Sequence, residues 1–251
     1  MIIIKNSEQL ALMKKAGRIT AEALLVARDM IRVGISTKAI DDKIRQYIEK
    51  CGATPSFLGY GGFPKSACIS INEQVIHGIP SPKVILSDGD IVKIDVGARY
   101  CGYNGDSART FAVGNVSDEA LKLISVTERS FYEAMKVAKA GNRIGDIGSA
   151  VESFVISNGF SVVKKYVGHG VGKDLHEEPE VPNFGNPGRG PRLYAGMTLA
   201  IEPMVNVGGE NVNVLRDGWT VVTADGKLSA HYENSIAITE SDPIILTQAE
   251  G

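Results

Sequence analysis

The stretch Ile91-Val92-Lys93-Ile94-Asp95-Val96-Gly97, continued by Asn104-Gly105-Asp106-Ser107, decides both the fold and the site. The apolar run around Asp95 predicts a strand, and a turn near positions 100–101 would pair it antiparallel with the next strand. This pairing sets Asp95 directly opposite Asp106, with both side chains on one face. Opposed like charges repel unless a cation lies between them, so the pair predicts a divalent metal site. Alternatively an aspartate could cap a turn, which suits Asp106 better than Asp95.

The composition is that of an ordinary globular protein. The chain has 251 residues, of which 43% are hydrophobic and 22% charged, and these values exclude a disordered or collagen-like chain. Lysine and arginine total 27 against 29 acidic residues, a formal net charge of −2. Without a broad positive field, we expect no specific binding to nucleic acid or to a membrane surface.

Cysteine use and the amino terminus predict a cytoplasmic location. The three cysteines, Cys51, Cys68 and Cys101, cannot all pair within one chain and have no zinc-binding spacing. The apolar start, Met1-Ile2-Ile3-Ile4, is too short for a signal peptide, and no later apolar run approaches the roughly 20 residues of a membrane helix.

Two pairs of helices are predicted, from Asn6 to Gly52 and from Ser117 to Gly159. An offset of 107 positions superposes Gly34 on Gly141, Ile40 on Ile147, Ile44 on Val151, Ile48 on Val155, and Gly52 on Gly159. We therefore predict a duplicated unit of about a hundred residues. The domain would be single, residues 1–251, with halves at about 3–113 and 114–239. Two unrelated helix pairs of similar length could share these marks as well.

The segments between and after the helix pairs are rich in β-branched and aromatic residues, with Gly and Pro between them. The predicted strands are Ala67–Ile71, Asp90–Tyr100, Asn104–Val113, Ser161–Tyr166, Met197–Val207, Gly218–Thr223 and Ser229–Thr239. Paired helices and runs of strands predict an α+β fold in which helices cover one face of a largely antiparallel sheet.

Three further residues have the character of metal ligands. Glu202 and Glu233 each lie among strand-forming residues, where a charge would be buried unless it were compensated. His169 lies in Gly168-His169-Gly170-Val171-Gly172, which we interpret as a loop whose glycines let the backbone close around whatever the imidazole binds. Four carboxylates and two divalent cations balance in charge, so these residues predict a dinuclear site.

Five residues follow one another in a recognisable order: Asp95, Asp106, His169, Glu202 and Glu233. With the surrounding Gly-His-Gly-Val-Gly and Ile-Glu-Pro-Met stretches, this order resembles the type I methionine aminopeptidases, from about Ile3 to Thr239. The resemblance implies the pita-bread fold, with pseudo-twofold halves around a curved antiparallel sheet, and removal of the initiator methionine from new polypeptides. Type II enzymes have a helical insertion for which the residues from Glu177 to Ile201 leave no room, so the chain is similar to the minimal bacterial form.

The resemblance also implies roles for individual residues. The five residues above become ligands of two divalent ions, with Asp106 and Glu233 as bridges and Asp95 bidentate. The ions would activate a water, and Glu202 would carry its proton to the departing amine. His77 and His176 match the histidines that contact substrate, although either could otherwise be a surface histidine. Co, Mn, Fe and Zn all suit such ligands, so the physiological metal stays open.

The residues implied to bind the methionine side chain are Phe57, Tyr60, Phe63, Cys68, Leu175 and Trp219, with His77 in the wall. Phe63 and Leu175 stand where tyrosine and phenylalanine are common, which could shift the preference for the second substrate residue. Asn234 stands where many members have histidine, which could alter the surroundings of the metals. His231 receives no role.

Two alternatives remain open. One is another pita-bread peptidase, such as a proline-directed aminopeptidase, and the other is a non-catalytic pita-bread protein that binds a partner. Proline-directed relatives usually carry a large extra amino-terminal domain, and non-catalytic relatives lose ligands. For the favoured function the expected partners are nascent polypeptide amino termini, met at the ribosome if the enzyme docks there, and we expect a monomer.

Overall fold

Capping side chains set the starts of the helices in the computed structural model, which describes residues 1–249. The Asn6 side chain accepts a hydrogen bond from the Gln9 backbone N–H at 2.9 Å, and the Gln9 side chain accepts one from the Asn6 N–H. Ser36 and Ser117 cap two further helices in the same way. The four α-helices are α1 (Ser7–Met30), α2 (Thr37–Lys50), α3 (Asp118–Val137) and α4 (Ile144–Ser157).

The predicted helix pairs are present: Gly52 and Gly159 directly follow the C-caps of α2 and α4, whereas α1 and α3 end four residues before Gly34 and Gly141, which lie in the connections. Gly34 and Gly141 have φ of +86° and +96°, and Gly52 and Gly159 have φ of +71° and +86°, a region that favours glycine. Unrelated helix pairs can share such turns, so the duplicated halves and the extent of the domain stay predictions.

All the strand pairings described are antiparallel. The strands are β1 (Thr54–Pro55), β2 (Ala67–Ile71), β3 (Gln74–Ile76), β4 (Ile91–Tyr100), β5 (Tyr103–Ala112), β6 (Ser161–Val162), β7 (Gly168–Gly170), β8 (Glu177–Val181), β9 (Thr198–Ile201), β10 (Met204–Asn206), β11 (Val212–Val214), β12 (Val221–Thr223), β13 (Ser229–His231), β14 (Asn234–Ala237) and β15 (Ile244–Ile245).

These strands form four sheets. The orders are β1-β4-β2 with β5 also paired to β4, β13-β10-β6, β11-β12-β3, and β15-β14-β9-β7-β8. Backbone hydrogen bonds in both directions between Ala108 and Glu233 connect the first sheet to the segment between β13 and β14. The α+β class is confirmed. Within the described range, no helix is both long and apolar enough to cross a membrane.

The register of the β4–β5 hairpin differs from the prediction. Asp95 lies opposite Ala108, and Asp106 lies opposite Gly97. The hairpin turns at Cys101 and Gly102, both at positive φ (+47° and +85°), a two-residue turn that shifts the pairing by two positions. Because the shift is even, Asp95 and Asp106 still project from the same face, as diagonal rather than direct neighbours.

Two predicted strands are interrupted in the middle. The segment 197–207 forms β9 and β10 with a break at Glu202 and Pro203, and the segment 229–239 forms β13 and β14 with a break at Tyr232 and Glu233. At each break the chain leaves one sheet and enters another, since β9 pairs with β14 whereas β10 pairs with β13. The two glutamates therefore lie at the junction between sheets. The predicted strands 161–166 and 218–223 are shorter, ending at Val162 and beginning at Val221.

The segment around His169 is a short strand, so the interpretation as a loop is wrong. Its glycines allow neighbouring strands to approach closely rather than letting the backbone bend. A Cβ at Gly168 would lie 2.3 Å from the Ala200 carbonyl oxygen, and one at Gly170 would lie 2.3 Å from the Glu178 carbonyl oxygen. His169 is thus fixed between β8 and β9.

Each helix pair packs over its own apolar core. One core joins α1 and α2 to β2 and β4 and includes Ile40, Ile44 and Ile94, all fully buried. The other joins α3 and α4 to β9, β10 and β14 and includes Phe131 and Leu199. Asp95 lies on β4, which lines the first core, and Glu202 directly follows β9, which lines the second, so the predicted site draws acids from both cores.

A buried ion pair attaches the amino-terminal segment to the start of β8. The Lys5 ammonium donates to Oε2 of Glu177 at 2.5 Å, and both side chains are under 5% exposed. Lys5 also donates to the Ile3 carbonyl. Since Glu177 directly follows His176, this pair fixes the chain next to a predicted substrate-binding residue.

We expect Lys5→Met to lower the free energy of unfolding by about 3–5 kcal/mol, because the Glu177 carboxylate would stay buried without its partner. Denaturant unfolding measures this. The control is Lys38→Met at the exposed Lys38–Asp42 pair, where we expect a change below about 1 kcal/mol. Equal, small changes in both variants would contradict the argument.

Candidate functional site

The two aspartates of the β4–β5 hairpin meet at the centre of the molecule. The Asp106 N–H donates to Oγ of Ser235 at 2.9 Å, and that hydroxyl donates back to the Asp106 carbonyl at 3.0 Å. This exchange fixes the hairpin against β14. One carboxylate oxygen of each aspartate, Oδ1 of Asp95 and Oδ1 of Asp106, is buried without a hydrogen-bond partner.

The two glutamates reach the same place from the breaks between strands. The Glu233 N–H donates to the Ala108 carbonyl at 2.9 Å, and the Asn183 side chain donates to the Glu202 carbonyl at 2.9 Å. These bonds hold the backbone and leave the carboxylates free to face the site. Oε1 of Glu233 is also buried without a partner.

His169 presents one particular ring nitrogen to the acids. Its Nδ1 lies 2.8 Å from the Gly170 carbonyl oxygen, which can only accept, so Nδ1 carries the proton. Nε2 therefore has a free lone pair, and it lies 3.5 Å from Oε1 of Glu202 and 3.8 Å from Oδ2 of Asp106. This is the orientation of a metal-ligating imidazole.

Burial raises the pKa of all four carboxyl groups, and repulsion from Asp106 contributes in the other three. Burial raises the pKa of Asp106 to about 7. Burial first, and the negative charge of Asp106 second, raise the pKa values of Asp95, Glu202 and Glu233 well above the ordinary carboxyl range. A divalent cation would stabilise the ionised form of these carboxyl groups, which burial otherwise disfavours. The residues present thus fit a metal site. Two groups are each close enough to share one ion, Asp106 with His169 and Glu233, and Glu202 with His231 and Glu233.

His231 also reaches this cluster, although the sequence interpretation gave it no role. Its Nε2 lies 3.6 Å from Oε2 of Glu202 and 3.9 Å from Oε2 of Glu233. The signal was present: His231 precedes Glu233 by two positions, and alternate residues of a strand share a face. Burial lowers the pKa of His231 to about 3, so the ring is neutral.

An apolar pocket adjoins the acids. Phe63 stacks edge-on against Trp219, with ring centroids 5.1 Å apart, and Tyr60 lies at the exposed rim. The pocket and the acidic cluster form one cleft of about 580 Å³. All thirteen predicted site residues line it: Phe57, Tyr60, Phe63, Cys68, His77, Asp95, Asp106, His169, Leu175, His176, Glu202, Trp219 and Glu233.

The two remaining histidines lie between the pocket and the acids. The Tyr60 hydroxyl oxygen lies 2.7 Å from Nδ1 of His176. The centroid of the His176 ring lies 4.1 Å from the centroid of the His169 ring. His77 has φ of +60° and contacts Tyr166 and Trp219 edge-on. Burial lowers its pKa to about 4. A left-handed backbone is strained in residues other than glycine, so its presence at His77 indicates that the placement of this side chain matters to the site.

Asn234 faces away from the acids. Its Oδ1 accepts hydrogen bonds from Arg109 at 2.7 Å and from the Thr247 hydroxyl at 2.9 Å. Arg109 also donates to the Glu233 carbonyl at 2.5 Å. Asn234 therefore acts on the cluster through Arg109 and the backbone of Glu233.

Comparison with known proteins places the chain among peptidases. Residues 11–240 match the model of metallopeptidase family M24. A methionine aminopeptidase of Clostridium perfringens is 56% identical over 247 residues, covering 98% of this chain and 99% of that protein. The crystal structure of methionine aminopeptidase from Thermotoga maritima superposes with a TM-score of 0.98 at 44% identity, covering 99% and 100% of the two chains.

A more distant likeness confirms the predicted pita-bread fold. The prolidase from Pyrococcus furiosus superposes with a TM-score of 0.80 at 25% identity. This chain covers 66% of that structure, and 99% of this chain is matched. The same architecture thus occurs in peptidases of different specificity.

In the metal-free protein, we expect the Asp106 carboxyl to make stability fall as the pH rises. Its pKa is about 7 in the folded state against 3.8 ordinarily. The folded state therefore binds the proton more tightly, and the stabilisation present near pH 4 is lost as the pH rises through 7. Buried histidines of lowered pKa act in the opposite direction, so the quantity to measure is a difference.

That difference is the free energy of unfolding of the wild-type protein minus that of Asp106→Asn, both in chelator, from about pH 4.5 to 7.5. It should decrease with pH, and saturating divalent ion should reverse the decrease at high pH. A difference independent of pH would show that the Asp106 carboxyl is not held protonated.

Proposed function

Because the chain belongs to metallopeptidase family M24, we propose that it removes the initiator methionine from polypeptides whose second residue is small. The observation that carries the proposal is the shared cleft, in which four acids, two of them buried and two partly buried, and a histidine adjoin an apolar aromatic pocket. The acids suit a metal-assisted hydrolysis, and the pocket suits an unbranched apolar side chain. The relatives of highest identity described above are named methionine aminopeptidases.

Two divalent ions would be held by Asp95, Asp106, His169, Glu202 and Glu233. The four carboxylates supply the charge that two such ions neutralise, and His169 supplies the nitrogen ligand. When bound, the ions supply Lewis acidity and a water of lowered pKa. Dependence on divalent metal accords with the family, whereas the number of ions and the choice among Co, Mn, Fe and Zn belong to this proposal.

The protein's own groups handle the protons and the developing charge. Glu202 takes the proton of the attacking water and delivers it to the departing amine. If the Tyr60 hydroxyl donates to Nδ1 of His176, the proton of His176 lies on Nε2, from which it can be donated to the carbonyl oxygen as negative charge develops. His77, neutral through its lowered pKa, holds the scissile amide nitrogen.

The methionine side chain would occupy the pocket formed by Phe57, Phe63, Cys68, Leu175 and Trp219. The first four are buried, and their rings and sulfur offer the polarisable contacts that a thioether favours. Phe63 and Leu175 keep the pocket apolar where the family often has tyrosine and phenylalanine. Selectivity for methionine is therefore retained, and any altered preference concerns the second residue.

The runner-up is a proline-directed peptidase. It would use the same acids, and the prolidase likeness shows that the fold accommodates it. That likeness rests on 25% identity, against 56% for the methionine aminopeptidase of Clostridium perfringens. A non-catalytic role is disfavoured because all five proposed ligands line the cleft.

Nascent polypeptide amino termini are the proposed substrates in the cell, which accords with action in the cytoplasm. Docking to the ribosome, a monomeric state and the absence of nucleic-acid binding stay predictions from the sequence.

The purified protein, loaded with Co, Mn or Fe under reducing conditions, should release methionine from Met-Ala-Ser and leave Met-Lys-Ser intact. Free methionine is measured by chromatography, with chelator-treated protein as the control. Absence of release with every metal would refute the enzyme function, and preferential cleavage of Ala-Pro amino termini would favour the runner-up.

His77→Ala should keep the bound metal and lose most of the turnover, since His77 contacts the substrate and not the ions. Because His77 has φ of +60°, His77→Asn serves as a second variant that tolerates this backbone. Elemental analysis and kcat are measured on both. Metal content that fell in parallel with kcat would make His77 a ligand instead.

A further inference from the structure

His231 is a buried histidine whose polar atoms are unsatisfied. It is 1% exposed, and neither Nδ1 nor Nε2 has a hydrogen-bond partner among the described residues. A buried polar atom without a partner costs free energy, so its retention calls for an explanation. Neither the proposed ligands nor the methionine pocket use this ring.

The ring is directed at the acids. Nε2 of His231 lies 3.6 Å from Oε2 of Glu202, while Nε2 of His169 lies 3.5 Å from Oε1 of the same carboxylate. Glu202 thus lies between two imidazoles, with one oxygen toward each. The two oxygens of Glu202 therefore have different neighbours and can have different roles, Oε1 toward His169 and Oε2 toward His231.

Hydrogen bonds fix the backbone of His231, and burial restricts its ring. The hydroxyl of Thr110 accepts from the His231 N–H at 2.9 Å and donates to the His231 carbonyl at 2.8 Å. His231 also pairs with Met204 across β10 and β13. Any adjustment between His231 and Glu202 must come from the longer glutamate side chain.

We infer that His231 is a positioning residue, whose Nε2–H donates to Oε2 of Glu202 and holds Oε1 toward His169. The inference rests on the proposed role of Glu202. The present separation of 3.6 Å exceeds a typical hydrogen bond of about 2.9 Å by about 0.7 Å, a distance that a small rotation of the glutamate covers. Carboxylates that ligate metals are themselves hydrogen-bonded, and this contact supplies the bond for Glu202.

The contrast with His169 decides between a donor and a further ligand. The Gly170 carbonyl accepts a hydrogen bond from the Nδ1–H of His169, which leaves the Nε2 of His169 without a proton. No acceptor meets Nδ1 of His231 among the described residues, so nothing holds Nε2 of His231 bare for an ion. Two adjacent carboxylate oxygens instead favour the proton on Nε2.

The test compares His231→Leu with His231→Gln in the full-length protein. Calorimetry gives the affinity of the metal-free protein for Mn²⁺ or Co²⁺, and kinetics on Met-Ala-Ser give kcat and KM. In His231→Leu we expect metal affinity and kcat to fall by about 10- to 100-fold. In His231→Gln both should stay near wild type, since the amide N–H can donate to the same oxygen. KM should stay near wild type in both variants, because His231 does not line the pocket.

Equal losses in the Leu and Gln variants would overturn the inference and make the imidazole a ligand, and so would wild-type behaviour of the Leu variant. Thermal unfolding checks the fold of each variant. If the Leu variant is unfolded, His231→Asn, whose amide is shorter by one methylene, replaces it and should behave as the loss variant. Failure of the proposed function is separate, because it appears as wild-type protein that binds the ion and releases no methionine.

Discussion

The repulsion among four buried carboxylates is the constraint on which the rest of the structure depends. Burial raises the cost of ionising Asp95, Asp106, Glu202 and Glu233, and the negative charge of Asp106 adds to that cost for the other three. A fold can hold such groups only if stiff elements fix their backbones and a cation compensates their charge. The hairpin, the strand junctions and the exchange of hydrogen bonds between Ser235 and Asp106 supply the stiffness. The apolar cores beneath the helix pairs supply the free energy that keeps the acids together.

Much of this arrangement could be predicted from the sequence, because its signals are local. Capping residues and glycines marked the helix ends, and the acids stood out since charges rarely occur inside apolar strands. The predicted hairpin register was wrong because the turn was placed near positions 100–101, without Gly102, whose positive φ suits the second position of the turn. A shift of two leaves both aspartates on one face, so the wrong register does not separate them.

The other errors have a common physical origin in contacts between distant segments. Pro203 signalled the break after Glu202, but no residue type signals that Glu233 lies where the chain changes sheets. The glycines around His169 were interpreted as flexible, whereas their role is set by carbonyl groups of strands outside that segment. His231 was overlooked because its partner Glu202 is remote in sequence, and proximity to Glu233 was the available signal.

The junctions between sheets also determine at which stage of folding the acidic cluster forms. Asp95 and Glu233 are separated by 138 positions (233 − 95), so the cluster forms only after β13 and β14 have paired with strands made much earlier. Such long-range pairing is slow compared with helix formation. During synthesis, the helix pairs can fold as each emerges, while the acids stay apart and solvated. We therefore expect the acidic cluster to form late in the folding of the chain.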